Sequence, residues 1–179
     1  METTMKSTLE NPSASASAPV ARPVLSGILT GQAAGLIMAV VVMLVFAVIY
    51  GKSPLYPVQV IGSTFLGESA LRGFSLSAVL VGLVLHQAGP SLLWGFIYGL
   101  LAKKFETRTS GEALALGLGL GVVSMVGPYL LIPAVMNAFQ GVDLWNREVP
   151  MFWDWAAHLV FGASFLIYPR IAARIGAKR

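Results

Sequence analysis

The chain has 179 residues, 56% hydrophobic and 11% charged, with a mean hydropathy of +0.75. A soluble domain carries about 25% charged residues and a disordered chain is poor in apolar ones, so an integral membrane protein is the class that remains. The absence of cysteine excludes disulfides, thiolate catalysis and Cys-ligated metal, and the net charge of +4 lies beside apolar runs, where it sets membrane orientation rather than nucleic-acid binding.

Residues 1–22 (METTMKSTLENPSASASAPVAR) are polar and rich in Ser, Ala and Pro. They read as a flexible N-terminal tail that a partner subunit can order. No cleavable signal peptide is expected, because the first apolar run starts after residue 22 and is too long for an h-region. Residues 23–179 read as a single transmembrane domain.

A spanning helix needs about 20 mostly apolar residues. Three uncharged runs exceed that: Pro23–Gly51 with 29 residues, Gly73–Ala102 with 30 and Ala113–Val142 with 30. A fourth, Trp155–Pro169, has 15, and snorkelling by Arg170 and Arg174 extends its reach. The reading is an all-α polytopic membrane protein with spans over 25–50, 74–102, 112–136 and 152–173. Trp153, Trp155 and Tyr168 are expected as interfacial anchors.

Four spans put both termini on one side. That side holds nine of the twelve basic residues: Lys6, Arg22, Lys103, Lys104, Arg108, Arg170, Arg174, Lys178 and Arg179. Lys52, Arg72 and Arg147 lie opposite, so both termini are expected in the cytoplasm. On the outer side, Ser53–Gly67 and residues 137–152 are too short to span. They are expected as interfacial segments or loops lying on lipid, with Trp145 and Phe152 as anchors. Asp143, Glu148 and Asp154 are expected to be solvated there.

Small residues recur every four positions at Gly27, Gly31 and Gly35 in the first span, and at Ala113, Gly117 and Gly121 in the third. Such strips let helix backbones approach closely, so these spans are expected to be the central, tightly packed ones, or to face a partner subunit. The chain also reads as two related helix hairpins. Gly31-x-x-x-Gly35 matches Gly117-x-x-x-Gly121, and Trp94-Gly95-Phe96 matches Phe161-Gly162-Ala163. Pro90, Pro128 and Pro133 are expected to kink their helices.

His86 and His158 are the only histidines, and both fall in the outer half of the bilayer. A polar ring at that depth needs a partner. The pair can ligate a haem b, bind a quinone or relay a proton. The plainer alternative is that each ring bonds a backbone carbonyl, Ser91 or Ser164. Asp154 stands four residues before His158, within reach on one helix face. No catalytic set, Walker loop or mid-membrane carboxylate is present, so no enzyme activity, no catalytic residue and no bound metal are expected.

From Ser91-Leu92-Leu93-Trp94-Gly95-Phe96-Ile97-Tyr98 through the basic loop, Gly117 to Gly121, and His158-Leu159-Val160 to the closing arginines, residues 87–174 resemble the YagU-type small bacterial inner-membrane proteins. The resemblance implies a multi-pass protein of the bacterial inner membrane. That family has no established biochemical role, so it carries over no functional residue. The expected function is an accessory subunit of a larger membrane complex, acting through helix packing in the lipid bilayer or by self-association. A small transporter or channel subunit and a haem- or quinone-carrying electron-transfer protein are the alternatives.

Overall fold

The structure is a computed structural model and describes residues 22–177; most of the polar tail lies outside the described residues. The described residues form helices and no strand.

Helix α1 (Pro23–Val48) begins on a proline, whose fixed φ suits the first turn and whose missing N–H would be unpaired there anyway. After Gly51 the chain starts α2 (Tyr56–Leu66), with Pro57 in its first turn. The second long helix is built from α3 (Leu76–His86), a π-helical turn Gln87–Ser91 around Pro90, and α4 (Leu92–Lys104). The third combines α5 (Ser110–Ser124), a second π turn Gly127–Leu131 at Pro128, and α6 (Ile132–Gln140). A reciprocal cap starts α5: Thr109 Oγ1 accepts from the Glu112 N–H, and the Glu112 carboxylate accepts from the Thr109 N–H. The short α7 (Leu144–Glu148) precedes the fourth, made of α8 (Met151–Ser164), a 3₁₀ turn and α9 (Tyr168–Gly176).

Four of these helices are long and apolar enough to cross a membrane: Pro23–Val48, Leu76–Lys104, Ser110–Gln140 and Met151–Gly176. At Pro90 and Pro128 the chain widens into a π turn, and Pro133 sits in the first turn of α6.

Glycines set the closest approaches. A methyl group on Gly27 would stand 2.5 Å from the Gly99 Cα, and one on Gly31 would stand 2.5 Å from the Gly95 Cα. One on Gly35 would collide with the Ser91 hydroxyl. The first strip therefore meets α4 and the turn before it. In the third span a methyl on Gly117 would strike the Gly162 carbonyl, and one on Gly121 would lie 2.5 Å from the His158 carbonyl oxygen. The two strips thus meet the second and fourth spans, and α1 also packs against α8 and α9.

Ser53–Gly67 contains a helix, α2, whose Val58 and Gly62 press onto Gly82 and Ala78 of α3. Two sequence expectations are corrected. Trp145 is no lipid anchor; it is buried with Phe46, Val60, Met136, Leu144 and Val149 in one apolar cluster. Tyr168 is fully enclosed in a second cluster, edge-on to Tyr98, which itself stacks on Phe165 with centroids 4.1 Å apart. Phe152, by contrast, is 72% exposed.

Candidate functional site: a cavity holding both histidines

Between the two apolar clusters lies a half-open cavity of about 400 Å³, with exposed residues such as Leu93 and Leu131 at its rim. Met38, Trp94 and Phe161 border it from the first cluster, and Ile61, Ile132 and Trp145 from the second. Both π turns reach its wall, through Gly89, Pro90 and Ser91 on one side and Gly127, Pro128 and Leu131 on the other. The widened turns thus coincide with the cavity wall, as π turns often do with functional sites. His86 and His158 both line it.

His86 ends α3, directly before the π turn. Its Nε2 lies 3.1 Å from the Gly35 carbonyl oxygen. A carbonyl only accepts, so Nε2 carries the proton and Nδ1 keeps its lone pair. The bond crosses from the second span to the first at the level where the absence of a side chain on Gly35 lets Ser91 approach. One turn away on α1, Gln32 Nε2 donates to the Gln87 carbonyl at 2.9 Å, supplying a donor to the backbone next to Pro90.

His158 is held from its own helix. Nδ1 is 2.9 Å from the Asp154 carbonyl oxygen and 3.3 Å from Asp154 Oδ1. Both partners are acceptors, so a proton sits on Nδ1, and in the neutral ring Nε2 presents its lone pair. Asp154 also accepts from Trp145 Nε1, at Oδ2 over 3.1 Å. Its expected solvation is therefore corrected: Asp154 is 7% exposed and its carboxylate is enclosed by these two rings. Burial of a carboxylate is tolerated where hydrogen bonds replace water. Asp154 and Trp145 also line a smaller cavity of about 70 Å³, which His86 shares.

Among the described residues neither His86 Nδ1 nor His158 Nε2 has a hydrogen-bond partner. Ser91 Oγ, in a residue 1% exposed that lines the cavity, has none either. Ser124, also on the wall, satisfies itself on the Gly121 carbonyl at 2.7 Å. No group of three or more His, Asp or Glu among the described residues could hold a metal ion.

A charged cluster joins α2 to α7, two helices that flank the cavity. Tyr56 OH donates to Glu148 Oε2 at 2.5 Å, Lys52 Nζ stands 3.7 Å from the same oxygen, and Arg147 bridges Glu148 at 2.9 Å and Glu68 at 2.8 Å. Burial raises the Glu148 pKa, yet the Tyr56 and Arg147 hydrogen bonds and the nearby cations outweigh it and hold it below its ordinary value. Burial, then the bond to Glu148, pushes the Tyr56 hydroxyl up, so it stays a donor.

His86, His158 and the five glycines Gly27, Gly31, Gly35, Gly117 and Gly121 are the positions the sequence singles out. The cavity gathers the two histidines, while the glycines pack helices around it, with Gly35 as acceptor for His86. Sequence reasoning missed Trp145, Trp94 and Ser91 as wall residues and Asp154 as a buried group. The four-residue step from Asp154 to His158, and the naming of Ser91 as a partner for an imidazole, were the signals available for these. No protein-family model, curated protein or solved structure matches the chain.

Proposed function

We propose that this chain is a multi-pass membrane protein whose central cavity binds a small lipophilic molecule. One observation carries the reading: two imidazoles from different spans, each with one nitrogen tied and the other bare, line a single mostly apolar cavity of about 400 Å³. Small-molecule sites have this character, apolar walls with a few convergent polar groups, at volumes of about 300–1,000 Å³.

The membrane is taken to be the bacterial inner membrane, with both termini cytoplasmic. The excess of Lys and Arg on that side and the likeness of residues 87–174 to YagU-type proteins support this. The spans pair as two related hairpins, supported by the matching contacts of Gly31 with Gly95 and of Gly117 with Gly162. The segments 53–67 and 137–152 then lie at the outer face.

Purification in mild detergent, followed by mass spectrometry of both the organic extract and the co-purifying chains, tests the reading. A lipophile recovered in near-stoichiometric amount supports it. A partner chain with no bound lipophile would replace it by the accessory-subunit role, in which a partner contacts lipid-facing side chains such as Leu36, Val40, Leu44 and Val48, since the glycine strips are occupied within the chain. The two π turns on the cavity wall favour transport as a second reading. Solute flux into proteoliposomes supports transport, and its absence across a broad panel contradicts it.

A further inference from the structure

We infer that the ligand is a lipid-soluble hydroquinone, bound through its hydroxyl groups to His86 Nδ1 and His158 Nε2. The inference rests on the cavity being a ligand site and adds the chemistry of the occupant.

Proton placement decides what each ring offers a ligand. The Gly35 carbonyl fixes the His86 proton on Nε2, and Asp154 fixes the His158 proton on Nδ1. In its neutral form each ring therefore offers an acceptor and no donor. A ligand matching both must carry hydrogen-bond donors. A ketone or ester has none and would leave both nitrogens unsatisfied in an apolar site, which is costly.

The third free group has the opposite requirement. Ser91 Oγ is buried on the same wall with no partner, and its hydroxyl proton needs an acceptor. The oxygen of a ligand hydroxyl serves while its own proton goes to an imidazole. A ring hydroxyl is thus donor and acceptor at once, which a bare amine or thiol matches less well. The remainder of the wall selects the scaffold. Trp94, Trp145, Phe161 and Phe65 give the wall aromatic surface, and Met38, Ile61 and Leu131 add flexible apolar groups. Aromatic walls favour a flat ring, through offset and edge contacts. No Lys or Arg side chain lines the cavity, so an anionic headgroup finds no counter-charge.

The test compares two redox forms of one probe. Decylubiquinol and decylubiquinone differ in whether their ring oxygens carry protons, and both are titrated anaerobically at pH 7.5 into the detergent-solubilised full chain. Binding is followed by competition against a fluorescent alkyl probe. The reduced form is expected to bind at least tenfold more tightly, equivalent to about 1.4 kcal/mol. His86→Phe and His158→Phe, checked for folding by circular dichroism and gel filtration, are expected to bring the two affinities together while the alkyl probe still binds. Equal affinity of the two forms for the native chain overturns the hydroquinone assignment and leaves the cavity reading standing, as does tighter binding of the oxidised form. Failure of the alkyl probe to bind overturns both. Stoichiometric uptake of haem b with a bis-imidazole spectrum overturns the hydroquinone in favour of a haem. The native-chain comparison needs no variant, so a misfolded substitution does not protect the proposal.

Discussion

Trp145 Nε1 donates to Asp154 Oδ2 over 3.1 Å, and this bond ties the short helix α7 to the helix that carries His158. The carboxylate stands between the indole and the imidazole, so the position of α7 and the orientation of the His158 ring are set together. Trp145→Phe keeps most of the apolar surface and removes the donor. One carboxylate oxygen is then left unsatisfied in a buried place, which costs about 1–3 kcal/mol. A fall in the thermal midpoint of the detergent-solubilised protein, with weaker binding of an alkyl probe, is the expected result. An unchanged midpoint would mean that the bond holds nothing in place.

Substitution of the glycines separates contact from mere helix propensity. Gly31→Ala and Gly117→Ala each drive a methyl into the backbone of the facing helix. Overpacking of this kind costs about 1–3 kcal/mol. Gly119→Ala, on the same helix as Gly117, meets nothing within 4 Å and is expected to be neutral or slightly stabilising. Unfolding in mixed detergent with increasing dodecyl sulfate checks the order. Equal behaviour of all three variants contradicts the packing described for α1 with α4 and α5 with α8.

The charged cluster around Glu148 gives a pH dependence with a definite sign. Glu148 is held below its ordinary value, chiefly because the bonds from Tyr56 and Arg147 outweigh burial. A folded-state pKa below the unfolded one contributes stability that is complete above the unfolded value and is lost as pH falls through the folded one. The Tyr56 hydroxyl is shifted upward, so its contribution is complete below the ordinary tyrosine value and is lost only as pH rises above it. Stability of the native chain is therefore expected to be level near neutrality and to decline below about pH 4. Glu148→Gln is expected to cost about 1–2 kcal/mol at pH 7 through the weakened Tyr56 bond, and the gap to the native chain should close in acid. A constant gap from pH 3 to pH 7 would contradict this.

The four long apolar helices were legible because length and hydropathy decide them almost alone, even where Arg170 and Arg174 shorten the last uncharged run. The glycine strips were legible as close-contact surfaces, but not their partners, because spacing on one helix says nothing about which neighbour arrives. The histidines stood out as rare polar rings at depth. That they share a cavity depends on how α3 and α8 rotate against α1, which periodicity in all-apolar helices does not encode. Asp154 and Trp145 misled for a related reason. Each looks like an interface residue in a linear reading, and only the folding of 141–149 back over α8 encloses them. The prolines announced a break, and at Pro90 and Pro128 that break takes the form of a π turn, a local geometry that the one-letter pattern does not encode.

The central claim is that one molecule can occupy the space between His86 and His158. Photolabelling of the chain in native membranes with a diazirine-bearing hydroquinone analogue, followed by peptide mapping, tests it most directly. Labels shared between the second span near Leu85–Trp94 and the third and fourth spans near Ser124–Val135 and His158–Phe161, all abolished by excess unlabelled compound, are the predicted result. Labels spread over Leu36, Val40, Leu44 and Val48 and insensitive to competitor would place the compound in bulk lipid and contradict the account.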